Sequence, residues 1–267
     1  MKRVVVFIWT TSSSGRRESE LLGGGVFIDD KGTVLTRYLP DYATSNRIIT
    51  VSTEDGRHYR AEKCEVAKYK RFGLTRLKIE VASGPQSFDY AEFATVGFKL
   101  GDEIHCFTHG NRYRGDITAV DENNAGVVFN TFEYQLVGHI SNTDRRLSDI
   151  LDNGIDHRKH LKAAPEELHF VNDIEEFKEL ACDWKRDLRM IQANNVYSSG
   201  SGAGGVPFFD KSGRIVGLFG LTYYDQVCGI HADEIKSSLE ALEAPDTTSG
   251  SVSASISKTP RSKWQYV

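Results

Sequence analysis

The sequence predicts an all-β protein of short antiparallel strands, and three observations carry that expectation. Runs such as Val4–Trp9 and Arg47–Thr53 are rich in β-branched and aromatic residues, which suit a pleated, half-buried surface. Turn sequences punctuate the runs, among them Asp29-Asp30-Lys31-Gly32, Glu54-Asp55-Gly56-Arg57 and Asp210-Lys211-Ser212-Gly213. Each holds the glycine that a tight turn favours. Helical spacing of apolar residues is confined to two stretches in the second half of the chain.

The chain of 267 residues is long enough for one large all-β domain or two small ones. Its 39% apolar and 26% charged residues describe an ordinary globular protein. A net charge of −4 gives no strong attraction to nucleic acid or to an anionic membrane. No apolar run is long enough to cross a bilayer. Cys64, Cys106, Cys182 and Cys228 stand far apart with no CxxC. That spacing fits reduced thiols in a soluble intracellular protein, with two long-range disulfides as the alternative. His157 and His160 imitate a ligand pair but read as a surface loop, so neither a metal nor another cofactor is expected.

Taken in order, Val4–Trp9 is a first strand, since its apolar core is too short for a signal peptide. Thr10–Glu20 is polar loop. Gly23–Ile28 and Thr33–Thr36 form one hairpin, Arg47–Thr53 and Tyr59–Val66 another, and Leu74–Val81 alternates like a half-buried strand. Gly84 and Pro85 mark a boundary. Phe93–Val96, Glu103–Thr108, Arg114–Val120, Gly126–Thr131 and Val137–Ile140 are further short strands.

Residues 142–169 read as an exposed charged loop. Ile174, Phe177, Leu180, Ala181, Trp184 and Leu188 recur at spacings of three and four, which predicts a core-packed helix over 172–188. Asn172 and Glu175 form its capping box. A glycine-rich bend (Gly200, Gly202, Gly204, Gly205) leads through Pro207-Phe208-Phe209 into a hairpin and the strand Gln226–His231. Ala232, Ile235, Leu239 and Leu242 give a short terminal helix, and 245–267 reads as a disordered tail.

Several segments are familiar in sequence and in order. Gly23-Gly24-Gly25-Val26-Phe27-Ile28 with Gly32-Thr33-Val34-Leu35-Thr36 resembles the GSGFVI…GYILT opening of trypsin-like serine proteases of the Deg/HtrA type. Leu74–Ile79 resembles their DLALLKI strand, Gly101-Asp102-Glu103-Ile104 their GDPV strand, and Val137–Ser141 their GIVS strand. Ile191-Gln192 with the bend, Asp210–Leu218 and Gly229–Ile235 resemble the segments that follow. The resemblance implies two six-stranded antiparallel β-barrels, over 1–88 and 89–244, with the helical insertion in the second. The PDZ domain common in that family is not expected here, since too few residues follow Leu242.

The resemblance carries a triad whose functional groups are absent here. Leu39 stands where the family histidine follows the ILT strand, and Gly73 where the aspartate opens DLALLKI. The serine position falls on Gly204 when anchored on Pro207, and on Gly202 when anchored on Ile191-Gln192. Gly202, Ala203, Gly204 and Gly205 are then the former oxyanion loop. Leucine and glycine supply neither nucleophile, base nor orienting carboxylate. The expectation is therefore a pseudoprotease that binds a peptide or protein segment.

Two alternatives stand beside it. One is a serine endopeptidase using a displaced Ser201, with Ser199 behind it. The other is a regulatory subunit in a homo- or hetero-oligomer with related active proteases. Against the first, none of the eight histidines occupies a position where the family places its base.

Overall fold

The computed structural model describes residues 2–12, 19–64, 69–81, 87–95, 97–108, 134–152, 181–194, 196, 204–223 and 226–243. Twelve strands close into two six-stranded antiparallel barrels. In the first, β1 (Val5–Ser12), β2 (Ser19–Phe27), β3 (Thr33–Arg37), β4 (Arg47–Thr53), β5 (His58–Cys64) and β6 (Leu74–Ile79) run in the order β1-β2-β3-β6-β5-β4. In the second, β7 (Glu103–Thr108), β8 (Tyr134–Arg146), β9 (Arg189–Asn194), β10 (Pro207–Phe209), β11 (Ile215–Tyr223) and β12 (Gln226–His231) run β10-β11-β12-β9-β8-β7. Closure removes the bare edges that make open sheets aggregate. A short helix α1 (Asp41–Thr44) follows β3, and α2 (Ala232–Glu243) follows β12.

Three apolar clusters hold the molecule. Val6, Ile8, Phe27, Val34, Leu39, Val51 and Leu77 fill the first barrel. Ile104, Ile140, Ile191, Val206, Phe208 and Val216 fill the second. The third joins them, packing Val5, Tyr38, Tyr69 and Leu74 with Leu147, Trp184, Leu188, Phe209 and Leu218. The connecting segment straps both sides together. Ala91 N–H donates to Phe27 O at 3.0 Å, Ala94 N–H donates to Ile215 O at 2.9 Å, and Glu92 O accepts from Ile215 N–H at 2.8 Å.

Several sequence-based expectations change. The helix expected over 172–188 is not formed in its described part: residues 181–187 make tight turns, and 172–180 lie outside the described residues. Lys185 N–H donates at 2.7 Å to Arg71 O rather than back along a helix. Ala181, Trp184 and Leu188 are nonetheless buried, so their apolar spacing reports core contact with a different backbone. The loop expected from residue 142 instead continues β8 to Arg146 and then turns helical over 147–152, burying Leu147, Ile150 and Leu151. Register shifts at Ile140/Asn142 and Asn142/Arg145 erase the alternation that marks a strand.

Two further segments differ from their expected roles. β1 and β2 extend into the polar stretch expected as loop, reaching Ser12 and starting at Ser19. β9 has no expected counterpart, because Met190, Ile191, Gln192 and Ala193 are all buried and show no period-two pattern. Phe93 contributes only an isolated bridge to Ile215. The strands expected at 114–120 and 126–131, the boundary at Gly84 and Pro85, and the tail 245–267 lie outside the described residues. Among the described residues no helix is long and apolar enough to cross a membrane.

All four cysteines are free thiols, with Cys182 exposed, Cys64 half-buried, and Cys106 and Cys228 buried. Burial pushes both buried thiols up to about 12, which suppresses the reactive thiolate. A native sample treated with a thiol-specific chromogenic reagent should release colour from Cys182 and Cys64 quickly. Cys106 and Cys228 should react only after denaturation.

Candidate functional site

Leu39, Gly73 and Gly204, the positions expected from the resemblance to match the triad, meet around one short run, Thr36–Leu39, at the end of β3. Successive residues of this run serve different layers. Thr36 is buried and donates from Oγ1 to Gly24 O at 2.6 Å. Arg37 reaches the second barrel, with Nη1 3.2 Å from Gly220 O. Tyr38 belongs to the cluster between the barrels, with Lys70 Nζ 5.5 Å from the centre of its ring. Leu39 turns inward.

Leu39 is only 2% exposed and packs with Val34, Phe27 and Leu77 in the first barrel's core. Its backbone is fully engaged. The N–H donates to Thr75 Oγ1 at 2.9 Å, and the carbonyl accepts from Lys63 Nζ at 2.7 Å. Burial lowers the Lys63 pKa, and the partner Asp41 at 3.3 Å acts in the opposite direction. An imidazole in this place would face methyl groups.

Gly73 lies beside the run, its carbonyl accepting Tyr38 N–H at 2.6 Å. Its φ is +69°, a left-handed conformation that favours glycine. A Cβ there would sit 2.6 Å from the Trp184 ring. Both the backbone and the neighbour therefore disfavour an aspartate.

Gly204 closes the other side. Its carbonyl accepts Gly24 N–H at 2.9 Å across the barrels, and a Cβ on it would fall on the Arg37 guanidinium. Gly205 (φ +85°) donates its N–H to Phe219 O at 2.7 Å, so this donor of the expected oxyanion loop is spent within the fold. Gly202, Ala203, Ser199 and Ser201 lie outside the described residues.

The described histidines are occupied elsewhere or exposed. His58 Nδ1 is 2.7 Å from Ser52 Oγ on the β4–β5 hairpin. His105 contacts Glu103 at 3.1 Å and Gln135 at 2.9 Å, and His139 is exposed on β8. His231 is buried where β12 meets α2, with Nδ1 accepting Asp233 N–H at 3.0 Å and Nε2 3.2 Å from Arg189. Burial first, then the Arg189 charge, brings its pKa down to about 4. His109, His157, His160 and His169 lie outside the described residues. Among the described residues no cluster of His, Cys, Asp and Glu is arranged to hold a metal ion.

Sequence reasoning missed Arg37, Tyr38 and Trp184, which occupy this site. No local signal points to Arg37, because its partner Gly220 is 183 positions away. The triple glycine at 23–25 did carry a signal. A Cβ on Gly23 would strike Gly204 O and one on Gly24 would strike Val206, so two of these glycines form the seat on which the second barrel docks.

The fold and site define an all-β, double-barrel protein whose inter-barrel junction is built from backbone, an arginine and two aromatics. The chain matches no protein-family model and no curated protein sequence.

Introducing a polar group at these positions should cost stability. Gly73→Asp should lower the unfolding free energy by roughly 2 kcal/mol or more, from positive-φ strain and the clash with Trp184. Leu39→His should lower it by about 3 kcal/mol, from lost apolar burial and an unpaired buried ring. Urea titrations measure both, and wild-type midpoints would contradict this packing.

The His231 shift has a definite sign. Above pH 6.5 the ring is neutral in folded and unfolded chains alike, and the stability is fully present. As pH falls from 6.5 towards about 4, the unfolded chain takes up a proton that the folded chain resists. Stability should fall by roughly 2 kcal/mol across that window, allowing for screening. His231→Gln should flatten that part of a pH series of melts.

Proposed function

We propose that this protein is a catalytically inactive, protease-like binding protein that captures an extended peptide or protein segment by strand addition. The observation that carries the reading is the content of the three positions described above. Leu39 is core filler, Gly73 is pinned by its φ and by Trp184, and Gly204 is covered by Arg37. A triad needs a nucleophile, a base and a carboxylate in contact, and none of these groups is present there. The double barrel is the architecture implied by the resemblance to Deg/HtrA-type proteases, and the loss of their chemistry leaves their binding geometry as the remaining activity.

An edge suited to that task exists. β10 pairs with β11 only as far as Leu218, and Gly205 and Val206 extend the contact to Phe219. From Gly220 to Tyr223, β11 pairs only with β12 among the described residues. A peptide lying along that flank would gain main-chain hydrogen bonds, with alternate side chains supplying selectivity.

A fluorophosphonate probe that labels activated serines tests the reading directly. The protein should remain unlabelled under conditions that saturate an active trypsin-like protease. Labelling that disappears in Ser201→Ala would overturn it in favour of a rearranged serine endopeptidase.

A further inference from the structure

We infer that the groove between the β5–β6 connection and the turns preceding β9 binds a phosphate group, free or carried on a small molecule, with Arg71 as its central contact. The inference stands apart from the peptide-binding reading and uses other residues.

The groove has a volume of about 460 Å³, and every residue lining it is described. Lys70 and Arg71 come from the first barrel, and Lys185 and Arg186 from the segment that leads into β9. Lys185 N–H donates to Arg71 O at 2.7 Å, which sets the two cationic pairs side by side. Both pairs stand on hydrogen-bonded turns. Gly73 N–H donates to Lys70 O at 2.9 Å, and Leu188 N–H donates to Lys185 O at 3.0 Å. Trp184 is buried with its ring against Gly73, which ties the two turns together. The backbone that carries the charges is thus set before any ligand arrives, and that lowers the ordering cost of binding.

Four cations line the groove against two carboxylates, Asp183 and Asp187, a surplus of two on a chain whose net charge is −4. Three of the cations have partners within the protein. Lys70 lies 2.5 Å from Asp183, and Arg186 lies 2.8 Å from Asp152. Lys185 lies 3.7 Å from both Asp187 and Glu234, too far for a hydrogen bond to either. Arg71 is exposed, and its guanidinium has no hydrogen bond or carboxylate partner among the described residues.

A phosphate group suits this arrangement. It carries nearly two charges at neutral pH and three strong acceptor oxygens. One such group can meet the planar fork of Arg71 and the Lys185 ammonium together. A carboxylate brings a single charge, and the groove already holds two of its own.

Isothermal titration calorimetry at neutral pH and constant ionic strength tests the assignment, with inorganic phosphate, phenyl phosphate and acetate as probes. Wild type should bind both phosphates, and Arg71→Gln should bind them about tenfold more weakly, the loss of one charge-assisted contact. That variant keeps the bond from Lys185, which uses the Arg71 carbonyl. Arg3→Gln, which removes an exposed charge 3.9 Å from Asp89, should bind like wild type. Melts of the ligand-free proteins confirm that both variants fold. Tighter binding of phenyl phosphate assigns the groove to an organic phosphate, and equal or weaker binding assigns it to the free ion; either upholds the site. Absence of phosphate binding by wild type would overturn the inference. So would equal affinities in wild type and Arg71→Gln, equal weakening in Arg71→Gln and Arg3→Gln, or acetate binding as tightly as phosphate.

Discussion

The approach of one backbone to another across the barrel junction is the constraint on which the rest of this structure depends. A closed barrel leaves little bare edge to offer a neighbour, so two barrels join through side-chain packing and the few places where main chains touch. Here the touching point is Gly24 N–H on Gly204 O, seated by Gly23 beneath and stiffened by Thr36 Oγ1 on Gly24 O. A side chain at position 23, 24 or 204 would push the barrels apart. The described end of the glycine bend is therefore a docking surface, with Gly204 O accepting from Gly24 N–H and Gly205 N–H donating to Phe219 O.

The same constraint shapes the run that lines the junction. Thr36, Arg37, Tyr38 and Leu39 each satisfy a different requirement: a hydrogen bond to β2, a reach to β11, inter-barrel packing and barrel filling. Gly73 closes the group by accepting from Tyr38 and lying flat against Trp184. Such a set of contacts couples its members, so changing one perturbs the others. Its apolar members are buried and its cations face carboxylates or carbonyls.

Much of the barrel architecture was legible in the sequence, and the reasons differ from strand to strand. β4 and β12 match their expected bounds, β4 because the turn at Glu54–Arg57 ends it and β12 because α2 starts directly after it. β9 was invisible because a strand buried on both faces has no alternation to read. The helix expected over 172–188 shows the opposite error at 181–188. Three apolar residues at helical spacing found the core, but the Lys185 amide found Arg71 and the backbone formed turns. Of the site, the occupants Leu39, Gly73 and Gly204 could be named from order alone. Arg37 could not, because its role is a contact between segments far apart in the chain.

Arg37 ties the junction to the second barrel in a way that neither leucine nor glycine could. Its guanidinium fills the space that a Gly204 side chain would need, and its Nη1 donates to Gly220 O at 3.2 Å. The glycine at 204 and the arginine at 37 are therefore a matched pair. A larger residue at 204 would displace the guanidinium, and a shorter one at 37 would leave the space beside Gly204 unfilled. Because Arg37 is half-buried, its hydrogen bond to Gly220 matters more than a surface contact would, since a charged donor drawn out of water costs more when it is left unanswered. The close approach of the two barrels thus depends on one small residue and one long one that lie far apart in the chain.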